Sequence, residues 1–359
     1  MTLDDLLREM AHKGASDLHL KVGKPPMIRL HGDIVPMSDI PLSGTDVKNL
    51  LGPVVPDAGK RQFDKERELD FAHMIPDLAR FRFNIFLQKA NLGAVIRRIP
   101  LKILTLDELH AMPILKKLAL KEKGLVLVTG PTGSGKSTTL AALVNHINEN
   151  RKAHIMTIED PIEFVHQDKE CIVNQREVGA DTLTFDGALK HILRQDPDVI
   201  LVGEMRNLET IATTITAAET GHMVFATLHT TGAVATIDRV IDAFPPEHQA
   251  QIRSQLSMVL EGVVSQNLLP KIGGGRVAVQ EIMVCNSAIR NLIREAKLHQ
   301  ITSIIQTSSS LGMVSFDNAL RDLVKSKAIS PETALAKAID SPLLKKTLEG
   351  LGIHVEIPE

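Results

Sequence analysis

One eight-residue segment limits the possible folds of this chain more than any other part of its sequence. Residues 130–137 read GPTGSGKS and match the pattern G-x-x-x-x-G-K-[ST] at every fixed position. The segment follows a continuous apolar run at residues 125–128 and precedes a helical pattern over residues 138–148. A strand, a glycine-rich turn and a helix in this order surround phosphate oxygens with backbone N–H groups. The sequence therefore predicts a nucleotide-binding α/β domain.

Nine residues in this turn and at the start of the helix are predicted to hold a nucleotide. They are Gly130, Pro131, Thr132, Gly133, Ser134, Gly135, Lys136, Ser137 and Thr138. In such a motif the ammonium group of Lys136 reaches the β- and γ-phosphates, and the hydroxyl group of Ser137 binds Mg²⁺. ATP and Mg²⁺ are therefore the expected cofactors.

The chain beyond this segment alternates between buried strands and helices. Apolar runs at residues 155–158, 199–202 and 223–228 are typical of strands buried on both faces of a parallel sheet. Helical patterns at residues 185–194 and 208–219 separate them. This alternation predicts a right-handed α/β domain that binds its ligands at the carboxyl ends of the strands.

Five side chains that suit phosphate chemistry stand at the carboxyl ends of these predicted strands. They are Glu159, Asp160, Glu163, Glu204 and His229. Hydrolysis needs a carboxylate that positions water, and the strand-end location favours that role for Glu204. For the other acids, surface positions in a loop are an equally open interpretation. His229 is interpreted either as a γ-phosphate sensor or as a structural histidine.

The first hundred residues differ from the rest in their pattern. Short strand candidates broken by turns predict a small α+β domain, with an antiparallel set at residues 69–72, 80–87 and 94–99. Five of the ten phenylalanines fall in this region, and we expect them to fill its core. They are Phe63, Phe71, Phe81, Phe83 and Phe86.

Changes in composition and pattern divide the chain into four parts. Residues 1–99 form the predicted α+β domain, and residues 100–113 form a linker. Residues 114–285 form the α/β core, which ends in a hairpin around residues 273–275, and residues 286–359 form a helical C-terminal region.

Composition argues against several classes of protein. The 41 Lys and Arg residues against 43 Asp and Glu residues give a net charge of −2, so no global basic field attracts nucleic acid. The sequence has no Trp or Tyr for stacking on nucleobases. Two cysteines fit a reducing compartment, and neither a signal peptide nor a membrane-spanning apolar run is evident. We expect a soluble, cytoplasmic protein that binds no nucleic acid.

Four motifs occur in the order found in the ATPases of the type II secretion and type IV pilus superfamily, which this sequence resembles. After the phosphate loop come TIEDPIEF at residues 157–164, GEMR at 203–206 and the two-histidine segment at 221–231. GASDLHL at residues 14–20 and AIRNLIRE at 288–295 are similar to signatures of the pilus retraction, or twitching-motility, ATPases. The resemblance covers almost the whole chain.

The resemblance implies a homohexameric motor at the cytoplasmic face of the inner membrane, where it associates peripherally with the pilus machinery. Its partners would be an inner-membrane platform protein and other motor ATPases. Each subunit would have a PAS-like N-terminal domain, a RecA-like ATPase domain and a helical tail. Nucleotide would lie between the first two domains, and arginines of the first would complete the site. The matching positions are Arg80, Arg82 and Arg97, and in the strand RFRF the pleat places Arg80 and Arg82 on one face.

Catalytic and metal-binding roles are also implied by the resemblance. Glu204 matches the Walker B glutamate, which either organises Mg²⁺ through water or activates the attacking water. Glu163 matches an acidic-box residue that is equally plausible as the general base. Glu159 and Asp160 are expected with Ser137 and Glu204 near the metal ion, and Lys136 and His229 near the reacting phosphate. Asn207 departs from the pattern, because an aspartate is expected there.

Several rival functions stay open on the sequence alone. An assembly or secretion ATPase of the same superfamily typically carries paired C-x-x-C motifs, whereas Cys171 and Cys285 are solitary. A retraction-accessory paralogue is disfavoured by AIRNLIRE. A RecA-like nucleic-acid motor and a non-catalytic nucleotide-sensing scaffold are more distant alternatives.

The AIRNLIRE segment reads as an amphipathic helix. Ile289, Leu292 and Ile293 fall on one side, and Arg290 and Arg294 fall on the other. We expect the polar side to transmit force or to dock the membrane platform.

Overall fold

The computed structural model describes residues 2–30 and 32–353. The chain divides into two compact units. The first contains the residues up to Ile103 together with Glu163–Val165, and the second contains Leu104–Ile162 and the residues from His166 onward.

The first unit contains a six-stranded antiparallel sheet in the order β3-β2-β1-β6-β5-β4. Its strands are β1 (Asp17–Lys21), β2 (Met27–Leu30), β3 (Asp33–Pro36), β4 (Glu68–Ile75), β5 (Ala79–Gln88) and β6 (Asn91–Pro100). Its helices are α1 (Leu3–His12), α2 (Gly44–Leu51) and α3 (Asp57–Glu66). Thr2 and Ser43 begin the first two helices with capping boxes, in which the cap and the third helical residue exchange hydrogen bonds.

The pleat of β5 separates a core face from a polar face. Phe81, Phe83 and Ile85 are buried in the core of the first unit. Arg80 and Arg82 alternate with them on the other face, as the sequence predicts. The expectation that Phe86 fills the core is wrong. Phe86 lies an even number of residues from Arg80 and Arg82, so it is half-buried on the same face as the arginines.

The two faces of β5 should differ in their importance for stability. We expect Phe83→Ala to lower the free energy of unfolding of the first unit by about 3–5 kcal/mol, because it empties a fully buried site. Phe86→Ala, at the half-buried position on the other face, should cost less than half as much. Urea unfolding followed by circular dichroism would measure both, since the chain has no Trp or Tyr for fluorescence. Equal losses would contradict the assignment of the two faces.

The second unit is built on a seven-stranded sheet in the order β13-β12-β7-β11-β10-β8-β9. All neighbours are parallel except β12 and β13, which form an antiparallel hairpin. The strands are β7 (Gly124–Thr129), β8 (His154–Glu159), β9 (Ile172–Glu177), β10 (Val199–Val202), β11 (Met223–Leu228), β12 (Leu260–Pro270) and β13 (Arg276–Val284). The accompanying helices are α4 (Pro113–Ala119), α5 (Lys136–Asn150), α6 (Phe185–Ile192), α7 (Leu208–Glu219), α8 (Ala233–Asp242) and α9 (Pro246–Val259).

The interior strand β7 is buried on both faces. Leu125 and Leu127 pack into one hydrophobic cluster, and Val126 and Val128 pack into another on the opposite face. This double burial explains the continuous apolar run in the sequence, and it confirms the predicted α/β fold with a parallel sheet. The edge strand β9 was not predicted from the sequence, because only one of its six residues is fully buried.

Helices form the C-terminal part of the second unit. They are α10 (Ser287–Arg294), α11 (Ile301–Thr307), α12 (Phe316–Lys325), α13 (Pro331–Leu335) and α14 (Ser341–Gly350), with short 3₁₀ turns at Leu298–Gln300 and Ser309–Leu311. Phe316, Leu320, Leu344 and Leu348 form part of a separate small core there. Within the described part of the chain, no helix is both long and apolar enough to cross a bilayer.

Helix α10 uses one of its arginines inside the protein. The guanidinium group of Arg290 donates hydrogen bonds to the carbonyl oxygens of Ser257 and Met258, at 2.7 and 2.8 Å, and so caps the C-terminal end of α9. It also pairs with the carboxylate of Glu261 at 2.8 Å. Arg290 thus stabilises the end of α9, and the expected role of the polar side in force transmission or platform docking stays a prediction.

Both cysteines are free thiols buried in the second unit. Burial raises the pKa of the Cys285 thiol to about 12 and also raises the pKa of Cys171. Their sulfur atoms are therefore protonated and shielded at neutral pH.

His166 makes the stability of the second unit depend on pH. It is buried in the segment that joins β8 to β9, and burial lowers its pKa to about 4, against about 6.5 in an unfolded chain. The folded state therefore favours the neutral ring, and stability is lost as pH falls from 6.5 towards 4. From this residue we expect a loss of about 1.4 kcal/mol between pH 7.5 and 5.5.

Chemical denaturation of His166→Gln at the two pH values would test this. The variant should lack this part of the pH dependence, while His248→Gln, at an exposed position on α9, should retain it. Parallel pH profiles for wild type and His166→Gln would contradict the burial argument.

Candidate functional site

The carboxyl ends of four neighbouring parallel strands meet at one edge of the second sheet. In the order β7-β11-β10-β8 they lead into the phosphate loop, His229, Glu204 and Asp160. Parallel pairing brings these ends together even though the residues are up to 100 positions apart in sequence.

The phosphate loop has a backbone that only glycine can adopt at its first position. Gly130 has a φ of +139°, and a Cβ atom there would lie 2.1 Å from the carbonyl oxygen of Gln266 on β12. A larger residue would therefore push the loop off the sheet. Helix α5 begins at Lys136 directly after the loop, so its first N–H groups point towards the space where phosphate would bind.

Lys136 is held by the loop itself. Its ammonium group donates to the carbonyl oxygens of Gly130 at 2.7 Å and Pro131 at 3.1 Å. Burial lowers the pKa of Lys136, and the charge of Glu204 opposes this shift. The lysine thus lies beside the loop carbonyls, and the nearby carboxylate of Glu204 favours its ammonium form.

Glu204 lies between the side chains of His229 and Arg206. Its Oε1 atom lies 3.0 Å from Nε2 of His229, and its Oε2 atom lies 2.8 Å from Nε of Arg206. Arg206 also reaches Asp160, at 3.1 Å. The sequence predicted Glu204, Asp160 and His229 for this edge, but no role was assigned to Arg206, whose only signal was its place two residues after Glu204.

A steric constraint explains why a glycine, Gly203, precedes this glutamate, where many phosphate-loop enzymes carry an aspartate. A Cβ atom at Gly203 would lie 2.9 Å from the carbonyl oxygen of Ile158 on the neighbouring strand β8. The close approach of β10 and β8 leaves no room for a side chain at this position, so the carboxylate at this strand end is that of Glu204.

Glu159 differs from its predicted position. It is the last residue of β8 rather than part of the following loop, and it is buried. Its Oε1 atom accepts hydrogen bonds from Thr157 at 2.6 Å and Gln175 at 3.0 Å. These bonds give Glu159 a structural role within the sheet, beside any part in metal binding.

Oxygen ligands suitable for Mg²⁺ are present at this edge. They are the exposed hydroxyl group of Ser137 and the carboxylates of Asp160 and Glu204, which Arg206 joins. The described residues contain no cluster of three or more His, Cys, Asp or Glu side chains placed to hold a metal ion. A nucleotide-bound Mg²⁺ takes several ligands from phosphate and water, so the available oxygens fit such an ion.

Asn207, the departure from the expected pattern, begins helix α7. Its side chain accepts a hydrogen bond from the backbone of Thr210 at 2.8 Å and donates one to Asp186 at 3.2 Å. Asparagine is as good a helix cap as aspartate. The change therefore preserves the local structure.

The predicted arginines lie together in the first unit. Arg82 and Arg97 are directly opposite each other on β5 and β6 and share the polar face of the sheet with Arg80. Arg97 forms an ion pair with Asp17 at 2.9 Å, and Arg82 lies 4.0 Å from Asp70. Glu163 also belongs to the first unit.

Removal of the charge of Glu204 should separate binding from hydrolysis. We expect Glu204→Gln to slow phosphate release from ATP by at least about 100-fold, because a carboxamide cannot accept a proton from water. Binding of ADP should change by no more than a few-fold, since the loop and Lys136 remain. Steady-state phosphate release and calorimetry would measure the two effects.

Glu209→Gln is the matched control for this test, because Glu209 is an exposed carboxylate on α7 that pairs with Lys190. It should hydrolyse ATP at the wild-type rate. Wild-type turnover by Glu204→Gln would remove Glu204 from the catalytic set.

Comparison with known proteins gives matches along nearly the whole chain. Residues 93–330 match the protein family described as Type II/IV secretion system protein. The chain is 54% identical to the type IV pilus retraction ATPase PilT of Pseudomonas aeruginosa over 338 residues, which are 94% of this chain and 98% of that relative. It is 51% identical to a twitching motility protein of Neisseria gonorrhoeae, over 88% and 85% of the two chains.

A solved structure supports the same similarity at the level of the fold. The crystal structure of the pilus retraction motor PilT with bound ADP superimposes with a TM-score of 0.91 and 44% sequence identity, over 96% of this chain and 99% of that one. The resemblance seen in the sequence motifs is thereby confirmed.

Proposed function

This chain belongs to the type II/IV secretion system protein family, and we propose that it is the ATP-hydrolysing motor that retracts type IV pili. The observation that carries the proposal is the match, at 54% identity and nearly full length, to a protein named for pilus retraction. The chain is accordingly a phosphate-loop ATPase. Its own residues would bind the phosphates, accept the proton of the attacking water and hold the metal ion.

Lys136 would exchange its partners when nucleotide binds. In the free protein its ammonium group satisfies two loop carbonyls, those of Gly130 and Pro131. Phosphate oxygens carry more negative charge than carbonyl oxygens and form shorter, stronger hydrogen bonds with an ammonium group. Phosphate entry would therefore draw Lys136 away from the loop and open the cradle of backbone N–H groups.

Glu204 would act as the general base after it releases one of its partners. One of its carboxylate oxygens contacts His229 and the other accepts a hydrogen bond from Arg206. When His229 turns towards the γ-phosphate, the Oε1 atom of Glu204 would become free to take a proton from the attacking water. Glu163 is the second candidate for this proton, and comparison of Glu163→Gln with Glu204→Gln would separate the two.

The metal ion would be held near Ser137, Asp160 and Glu204, with Glu159 behind them. When bound, Mg²⁺ supplies positive charge to the β- and γ-phosphates.

We further propose that Arg80, Arg82 and Arg97 contribute positive charge to hydrolysis. That role fits a polar sheet face that carries all three arginines, with Arg82 directly opposite Arg97.

We propose that the working form is a homohexamer at the cytoplasmic face of the inner membrane, with a pilus platform protein as its partner. Residues 1–99, 100–113, 114–285 and 286–359 would serve as PAS-like domain, linker, ATPase core and helical tail. Size-exclusion chromatography with light scattering, with and without nucleotide, would test the assembly.

Gene deletion and complementation would test the pilus function in the organism that encodes this chain. Loss of the gene, or its replacement by the Lys136→Ala form, should leave cells with excess pili and no twitching, because the motor can no longer bind phosphate productively. Lys60→Ala should restore movement, since Lys60 is an exposed side chain of α3 paired with Asp57. Loss of pili, instead of excess pili, would identify an assembly motor and overturn the proposal.

A further inference from the structure

Gln266 of β12 contacts the phosphate loop at both of its ends. The parallel pairing of β12 with β7 ends at Ser265 opposite Thr129, so the next residues of the two strands, Gln266 and Gly130, face each other. The carbonyl oxygen of Gln266 occupies the space that a Cβ atom of Gly130 would need. At the far end of the loop, the side-chain amide of Gln266 donates to the carbonyl oxygen of Ser134 at 2.8 Å.

The same side chain also holds the first turns of helix α5. Its Oε1 atom accepts a hydrogen bond from the hydroxyl group of Thr139 at 2.9 Å. Gln280, opposite Gln266 on β13, donates to that oxygen at 3.2 Å. Gln266 is 1% exposed, and Ser134 and Thr139 are 1% and 4% exposed, so water has little access to replace these bonds.

From these contacts we infer that Gln266 is a positioning residue for phosphate binding: it locks the loop between Gly130 and Ser134 into the shape that presents its N–H groups. The bond to the Ser134 carbonyl oxygen fixes the orientation of the peptide unit that follows Ser134. The N–H group of that unit belongs to Gly135, at the N-terminal end of α5. A loop that rotates this unit turns the Gly135 N–H group away from the phosphate space and loses a donor to phosphate.

The inference depends on nucleotide binding and is independent of pilus retraction. Its failure and the failure of the proposed function are therefore distinguishable, because a protein that serves another cellular process would still need an ordered loop to bind ADP.

The experiment uses the full-length protein and ADP as the probe, with calorimetry far below the melting temperature. Gln266→Met keeps the length of the side chain and removes both of its hydrogen-bonding groups. We expect the Kd for ADP and the KM for ATP to rise by about 10- to 50-fold, the effect of one to two lost buried hydrogen bonds. We expect kcat to change less than KM, since Gln266 contacts none of the reacting groups.

Gln280→Met is the matched control, because the same substitution on the same face of the hairpin leaves the bonds to Ser134 and Thr139 intact. It should change the Kd for ADP by less than about 3-fold. An unchanged Kd in Gln266→Met, or an equal rise in Gln280→Met, would overturn the inference.

A second variant tests the donated bond directly and separates positioning from stability. Gln266→Glu keeps the acceptor for Thr139 and loses the donor to Ser134 while it is ionised. A buried carboxyl group titrates above its usual range and, once protonated, has an O–H group to donate. Relative to wild type at each pH, its ADP binding should be weak at pH 8 and recover at pH 6, whereas Gln266→Met should stay weak at both. Equal weakness of Gln266→Glu at both pH values would count against the bond.

Discussion

The pairing of β7 with β11 on one side and β12 on the other positions the phosphate loop, His229 and Gln266 in the second unit's nucleotide site. Because the three strands run parallel, the phosphate loop and His229 follow the carboxyl ends of β7 and β11, and Gln266 lies where the pairing of β12 with β7 ends. The register cannot slip by one residue, since alternate residues of β7 pack into two different hydrophobic clusters and a slip would exchange them. The precision of a polar site thus depends on apolar packing beneath it.

The charges at this edge are balanced within the protein before any ligand arrives. Lys136 is satisfied by carbonyl oxygens, and Glu204 is shared between His229 and Arg206. In the proposed mechanism, phosphate binding would be an exchange of partners among groups already in place, which requires less reorganisation than the gathering of distant charges. Arg206 matters in this exchange because it also holds Asp160, so that two strand ends respond together when Glu204 moves.

Local patterns were enough to predict most of the fold but only part of the site. The bounds of β10, β11 and α7 follow from apolar runs and a capping residue, because burial and capping act through neighbours in sequence. Phe86 was misplaced because the alternation of faces along β5 puts it on the arginine side, and Glu159 was misplaced because β8 extends one residue beyond its apolar run. The contacts of Arg206 with Asp160, of Arg290 with Glu261 and of Gln266 with Ser134 were missed, because each joins residues 29 to 132 positions apart and no local pattern marks such contacts.

The low reactivity of the two buried thiols makes this protein suitable for site-specific labelling at an introduced cysteine. Cys171 and Cys285 are shielded, and their raised pKa values keep them protonated, so thiol-reactive dyes will not attack them in the folded state. The sequence also contains no Trp or Tyr, so the native protein has no tryptophan or tyrosine fluorescence. A single cysteine or tryptophan introduced at the surface would therefore report on movements of its own unit alone, with the native side chains left in place.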